Sequence, residues 1–371
     1  MWHLMGVYWK QAIRKTSLKI VWLLLVSSLA CLYFYTRYVN ISTYQEDVKI
    51  EQIGIKTGLS YYQDQPNNSA ETYQLVQNLN EQNNAISKIQ MAVTMENQRA
   101  YIEGFHTLYT KRQAIYNLAG FEQIKELVPS QHQNQRQLEL LTALLANQAP
   151  IENSKQNFRF YFENSLILIG LIWFLLMTLL TCDIGEISRN VSLWRVLPYR
   201  PSRKLGSLGF NQGLIVVFSV GVGLVTPLAI GSIGFKLRLD EVFVVVLHGN
   251  YRVISLGHYM WLVGIGLCFV GLFSMGMSYF LYQLLQDKYL VCFAQALGYS
   301  LLYLLPSMLQ HTVYLPLIYL NPVALLQGDV AEWLGRSTLD YQVGYFVLGL
   351  SGMMLIVLGI LISHWKERVG Q

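Results

Sequence analysis

The feature that most limits what this chain can fold into is a set of apolar runs about 20 residues long. That is the length a helix needs to cross a hydrocarbon core of roughly 30 Å. The runs lie at about Ile20 to Arg37, Leu166 to Thr181, Leu214 to Ile233, Tyr259 to Leu281, Tyr289 to Met308 and Val343 to Ile362. Soluble domains disperse their apolar residues. Here 53% of residues are hydrophobic and only 13% charged, against roughly 25% charged in ordinary soluble domains. The runs predict an all-α membrane protein with six transmembrane helices. Residues 39–162, rich in Gln, Asn and Glu, form a polar domain inserted between the first and second runs.

The chain divides into residues 1–38 (an interfacial segment and the first span), the insertion 39–162, and residues 163–371 with the remaining spans. Lys and Arg give these parts an orientation, because cytoplasmic loops near membrane spans carry an excess of both. One set of segments holds Lys10, Arg14, Lys15 and Lys19, then Arg189, Arg195, Arg200, Arg203 and Lys204, then Lys288, Lys366 and Arg368. The short loops of the other set hold Lys236, Arg238, Arg252 and Arg336. Both termini are therefore expected in the cytoplasm and the insertion outside. The net charge of +5 reads as a topology signal rather than as a nucleic-acid-binding one. The stretch Ser28 to Cys31 faintly resembles a lipoprotein cleavage site, but the chain stays apolar and aromatic from Leu32 to Tyr35. A retained first helix is expected.

Two segments outside the spans have a pattern of their own. From Val7 to Lys19, Trp9, Ile13 and Leu18 alternate with Lys10, Arg14, Lys15 and Lys19. That pattern suits an amphipathic helix in the membrane interface, or simply a basic flank. Within the insertion, Leu75, Leu79, Gln82, Ile86, Ile89 and Val93 follow heptad spacing, with Gln82 as the one polar member. A second helix is expected over about Phe121 to Leu145, offering Leu138, Leu141 and Leu145 after Pro129. The two would fold back as an extracellular helical hairpin turning near Tyr116 to Gly120. A coiled-coil contact with another subunit or a cell-surface partner is the other use of such a stripe. Phe243 to Leu247 is apolar but too short to span. The stretch from Thr312 to Trp333, broken by Pro316, Asn321 and Pro322, suits short re-entrant or surface-lying helices.

Several chemistries are missing from the sequence. The expected spans are almost free of Asp, Glu, Lys and Arg, which argues against a proton relay through buried carboxylates. There is no HExxH, no Gly-x-Ser-x-Gly and no GxxxxGK[ST] phosphate loop. The seven histidines are scattered without an i,i+4 pair, and each reads as an interfacial or surface residue. Cys31, Cys182, Cys268 and Cys292 form no CxxC, so neither a zinc site nor a disulfide framework is indicated. Glycines such as Gly264, Gly266, Gly271 and Gly276 fit close helix packing. No catalytic residue, metal ligand or bound cofactor is expected. The charged loop of about 183–210 would either fix topology or dock another polypeptide.

The order of these features resembles the permease subunit of ABC-2-type ABC transporters, over the first span and from about residue 160 to the end. The carrying residues are the interfacial segment with Trp9, Lys10, Arg14 and Lys15, and the loop after the second span. That loop holds Glu186, Arg189 and Arg195, then Leu197-Pro198, then Arg200, Arg203 and Lys204; Asn321-Pro322 stands before the last span. The resemblance implies that the loop of 183–210 contains a coupling helix seated on a cytoplasmic ATP-binding subunit, which alone holds ATP and Mg. It further implies a pair of permeases, identical or related, in a cell membrane, likening the chain to half of an exporter of a hydrophobic or amphipathic peptide, lipid or antimicrobial. The large insertion departs from the minimal members of that family. A non-transporting sensor or scaffold acting through the external domain is the competing expectation.

Overall fold

The computed structural model describes residues 16–38, 44–63, 70–146, 157–184, 201–235, 240–304, 315–336 and 339–369. The first span is helix α1 (Thr16–Tyr38). The polar insertion supplies α2 (Tyr44–Gln63), α3 (Ala70–Thr94), α4 (Gln98–Ile115) and α5 (Gln131–Ala146), with two short 3-10 turns at Phe121–Gln123 and Lys125–Leu127. Next come α6 (Phe158–Thr181), α7 (Pro201–Gly234), a hairpin of β1 (Val242–Leu247) and β2 (Asn250–Ser255), and α8 (Leu256–Leu285). The chain closes with α9 (Lys288–Leu304), a 3-10 turn at Pro316–Tyr319, the short helices α10 (Pro322–Gln327) and α11 (Asp329–Trp333), and α12 (Tyr341–Val369).

Five of these helices are long and apolar enough to cross a membrane: α1, α6, the Leu208–Gly234 part of α7, α8 and α12. The chain is thus a multi-pass, largely helical membrane protein. The sixth expected span is represented by α9, whose 17 described residues cover about 25 Å at 1.5 Å per residue. Its expected end at Met308 lies outside the described residues. Large apolar side chains such as Leu23, Val217, Ile233, Met353 and Leu361 stand on the outside of the bundle. Water would penalise such faces, whereas lipid tails accept them.

α1, α7, α8 and α9 pack around α6, whose Phe162, Ile169, Trp173 and Met177 are buried with Leu25, Val220, Leu267 and Val270 of the neighbouring helices, and α12 packs on α8. Trp173 is buried at mid-helix, and its indole N–H donates to the Leu267 carbonyl at 3.0 Å. Glycines allow α8 and α12 to approach backbone to backbone, since a Cβ on Gly276 would run into the Gly352 carbonyl. α7 starts at Pro201, where a missing N–H costs nothing. Residues 201–210, expected as the end of a loop, are therefore the first turns of a long helix.

The insertion differs from the expected hairpin. Among the described residues it contains four helices of more than one turn, α2 to α5, sharing one core of Val48, Ile55, Leu75, Leu79, Ile86, Ile89, Ile102, Leu108 and Leu141. Among the described residues, a sharp reversal falls at Met95 to Asn97, well before Tyr116. Glu96 takes a left-handed φ of 52°, and Asn97 caps α4 by accepting from the Ala100 N–H at 3.0 Å, as short polar side chains do at helix starts. The helix expected from Phe121 begins only at Gln131, after Pro129. The heptad stripe of α3 is consumed inside this domain: Leu75, Leu79, Ile86 and Ile89 are fully buried against its own helices, with Val93 packed beside them.

Phe243 to Leu247 lies in strand β1, paired antiparallel with β2 in a register that sets Leu247 opposite Asn250. The two connecting residues, His248 and Gly249, have φ of 51° and 75°, the paired positive values of a type I′ hairpin turn. The proline-broken stretch forms the 3-10 turn, α10 and α11. Asn321 caps α10 through the N–H groups of Val323 and Ala324 at 3.1 and 3.2 Å, and Gly328 joins the two helices at φ 81°.

Candidate functional site

Where the polar domain meets the bundle, their contact surface is rich in hydrogen bonds and ion pairs. Successive spans alternate in direction, so the end of α1, the start of α6, the end of α7 and the starts of α8 and α12 gather at one end. Arg37 ties two of them together, donating from Nη1 to the Gly234 carbonyl at 3.0 Å and to the Tyr33 hydroxyl at 2.9 Å. A guanidinium at the carbonyl end of α7 also complements the helix dipole. Asp340 performs the matching task at the start of α12, accepting from the N–H groups of Gln342 and Val343 at 3.0 and 3.1 Å. Its other oxygen accepts from the His248 N–H in the hairpin turn at 3.3 Å.

Helix α5 docks on this end. His132 places Nδ1 2.7 Å from the Tyr251 hydroxyl and Nε2 2.9 Å from the Gln327 carbonyl. A carbonyl can only accept, so Nε2 carries the hydrogen and Nδ1 accepts from the phenol in the neutral ring. Burial, helped by the Glu332 carboxylate, pushes the Tyr251 phenol up to about 12, which keeps it a donor. One turn further, Arg136 donates from Nη2 to Glu163 Oε1 of α6 at 2.9 Å and reaches Asp329 of α11 at 3.9 Å. The same Glu163 oxygen accepts from Gln327 Nε2 at 3.3 Å. A residue with a Cβ at Gly328 would collide with His132 and Val246. Two side chains of α5 therefore join the polar domain to α6, the hairpin and the broken segment at once. Arg159 of α6 adds a bond to Glu241 at 3.7 Å and lies over the Phe243 ring.

Beside this joint is a cleft of about 1080 Å³. Its apolar part comes from Tyr116, Phe121 and Val128 of the domain and from Val246 and Tyr251 of the hairpin. Gln113, Gln131, Gln135 and Asn250 add amides, while Glu122, Lys125, Glu139, Glu332 and Arg336 add charge. Burial also raises the Tyr116 phenol, whose hydroxyl donates to the Pro129 carbonyl at 2.9 Å.

A second polar cluster is sealed inside the bundle where α6, α8 and α9 meet. Gln295 of α9 accepts from Thr178 at 3.0 Å and donates to Ser278 at 2.6 Å. Ser278 lies 2.8 Å from Thr181, which donates to the Met177 carbonyl at 2.8 Å. Every member is uncharged and at most 1% exposed. Interhelical bonds of this kind each contribute about 0.6 kcal/mol, up to about 2, in membranes. The hydroxyls satisfy one another, so this is a joint holding α9 rather than a set of reacting groups. No group of His, Cys, Asp and Glu suited to a metal occurs among the described residues.

Of the residues singled out in the sequence, Trp9, Lys10, Arg14 and Lys15, and Glu186, Arg189, Arg195, Pro198 and Arg200, lie outside the described residues. Arg203 and Lys204 fall on the first turn of α7, their side chains undescribed. The functional surface that sequence reasoning missed is the α5 joint. His132 looked like any scattered histidine, and no spacing rule links it to Tyr251 or Gln327. A weak signal did exist, since His132 and Arg136 are four apart on a helix otherwise rich in Gln. Comparison with protein-family models, curated proteins and solved structures gives no match. The findings to this point describe a multi-pass helical membrane protein whose polar inserted domain is bonded to one end of its bundle.

Proposed function

We propose that the chain is the permease subunit of an ATP-driven exporter of the ABC-2 type, with its polar domain outside the cell. The observation that carries this reading is the joint between α5 and the broken segment before the last span. A merely tethered sensor domain would need only its two chain connections. Here His132 and Arg136 grip α6, α11 and the hairpin, so a shift of the spans would be transmitted to the domain. The interior suits a passive conduit rather than a catalyst, with no buried Lys, Arg, Asp or Glu between the ends of the five membrane-length helices among the described residues. Energy would come from a separate cytoplasmic ATP-binding subunit docked on Glu186, Arg189, Arg195, Pro198, Arg200, Arg203 and Lys204. Trp9, Lys10, Arg14 and Lys15 would lie in the inner membrane interface. A second permease, identical or related, would complete the assembly, and the apolar interior suits a hydrophobic or amphipathic cargo.

Co-purification from native membranes tests this reading. The wild-type chain is expected to bring down an ATP-binding protein, and the double variant Glu186→Arg with Arg195→Glu to lose it while still reaching the membrane. Equal recovery of that partner with both forms would refute the coupling-loop assignment.

A further inference from the structure

The cleft beside the α5 joint has a composition that selects a class of ligand. Its walls belong to the polar domain, the β-hairpin and α11, and ligand sites favour such places between separately packed units. Its volume of about 1080 Å³ is just above the roughly 300–1,000 Å³ typical of ligand clefts. The charges within it do not cancel in place. Lys125 is engaged by Glu122 at 3.5 Å, and Asp329 just outside is engaged by Arg136 and His132. Glu139 accepts from Gln135 at 3.1 Å, and neither it nor Glu332 has a cation within ion-pair distance among the described residues. Against these two carboxylates stands the single guanidinium of Arg336.

Glu332 acts on both facing walls, adding to the upward shift of Tyr116, where Arg112 opposes it more strongly, and of Tyr251, where Arg136 opposes it. The lining itself, with Glu122, Glu139 and Glu332 against Lys125 and Arg336, carries a net negative charge, with aromatic rings on two sides. The amides of Gln113, Gln131, Gln135 and Asn250 line the cleft. Gln113 already accepts from Asn134 at 2.9 Å, Gln135 donates to Glu139 at 3.1 Å and Asn250 donates to the His248 carbonyl at 3.4 Å. Each keeps further donor and acceptor capacity for an extended backbone. A bare acidic patch would attract any cation. This combination adds surfaces that hold the chain bearing the ammonium group.

We infer that this cleft binds an extended, lysine-bearing peptide segment, with its ammonium groups toward Glu332 and Glu139 and its backbone along the amide wall. An occupant would bridge the domain and α11, the same parts that His132 and Arg136 join. The inference stands on the cleft alone and goes beyond the exporter reading, because binding is measured on this chain without an ATPase.

The test uses the full chain in phosphatidylcholine nanodiscs, which carry no net charge to attract the probe. Fluorescein-labelled tetralysine is titrated and read by anisotropy, with tetraglutamate and chitohexaose as the other arms. Saturable tetralysine binding is expected, weakened about tenfold in Glu139→Gln with Glu332→Gln and by raising salt from about 50 to about 500 mM. Glu126→Gln, outside the cleft, is expected to bind as wild type. Matching unfolding midpoints would show that the variants stay folded, and the salt titration on wild type needs no variant. Absence of saturable binding overturns the inference, as does binding indifferent to the paired change or equally weakened by Glu126→Gln. Chitohexaose binding without tetralysine binding would assign the cleft to a glycan and also overturn it.

Discussion

At the scale of single residues, the polar side chains inside the folded parts explain what apolar patterning could not. Gln82 interrupts the heptad stripe of α3, yet it is fully buried. Its carbonyl oxygen accepts from Arg112 Nε at 3.2 Å, while Arg112 grips Glu51 with both terminal nitrogens, at 3.3 and 2.5 Å. The guanidinium is 1% exposed and lies over the Tyr109 ring. One cation thereby fixes the mutual register of α2, α3 and α4. Removing it strands a carboxylate and an amide in the interior, which costs about 3–5 kcal/mol. Arg112→Ala is expected to unfold the polar domain before the bundle, seen as early proteolysis between residues 44 and 146; unchanged resistance would contradict this. Tyr251 gives a pH prediction. Its phenol is raised from the ordinary 10 to about 12, chiefly by burial. The native state therefore keeps a proton that the unfolded chain gives up above 10. The stabilisation is complete below pH 10 and fades as pH rises through about 12. In tyrosinate absorbance, Tyr251→Phe should remove a phenol titrating near 12; loss of one titrating near 10 would count against the joint.

At the scale of elements, much of the bundle was legible, because a run of about 20 apolar residues has few alternatives to a spanning helix. The broken segment was legible too, through Pro316, Asn321 and Pro322. The polar domain was only half legible. Leu75 to Val93 announced α3, but α2 spreads Val48, Ile55, Leu59 and Tyr62 among polar neighbours, and its partner stripes become obvious only once the helices meet. The strand β1 was hidden because a short unbroken apolar run has no period with which to distinguish strand from helix. The turn that fixes it depends on His248 taking a left-handed φ, which only a few per cent of non-glycine residues do. The joint at His132 was illegible for a simpler reason: its partners are 119 and 195 residues away. Helix packing gives this scale its prediction. Gly352 brings α12 against the backbone of α8 at Phe273, where a Cβ would stand 3.0 Å from the Cα. Gly352→Leu is expected to lower the thermal midpoint of the purified protein through forced separation of α8 and α12, an overpacking cost of about 1–3 kcal/mol. An unchanged midpoint would mean that the two helices are not in contact.

At the scale of the molecule, the bundle is sealed by two kinds of polar fastening. One lies within the spans at Gln295, and the other at the domain end around Arg136 and Glu163. The second is solvent-accessible, with side chains 21% and 29% exposed, and is the more open to rearrangement of the two. Arg136→Ala with His132→Ala should free the polar domain without unfolding it, raising hydrogen exchange in α5 and β2 while α3 keeps its protection. Loss of protection throughout the domain would instead make these residues part of its folding core. On the proposed exporter reading, this joint is the element that would carry a shift of the spans to the polar domain.

We propose that the polar domain lies outside and the start of α7 inside. With Cys31, Cys182, Cys268 and Cys292 replaced by serine, single Asn68→Cys and Ser202→Cys variants can be treated with a membrane-impermeant maleimide in intact cells. Labelling of the Asn68→Cys form in intact cells, and of the Ser202→Cys form only after permeabilisation, is the predicted result; the reverse pattern would contradict the account.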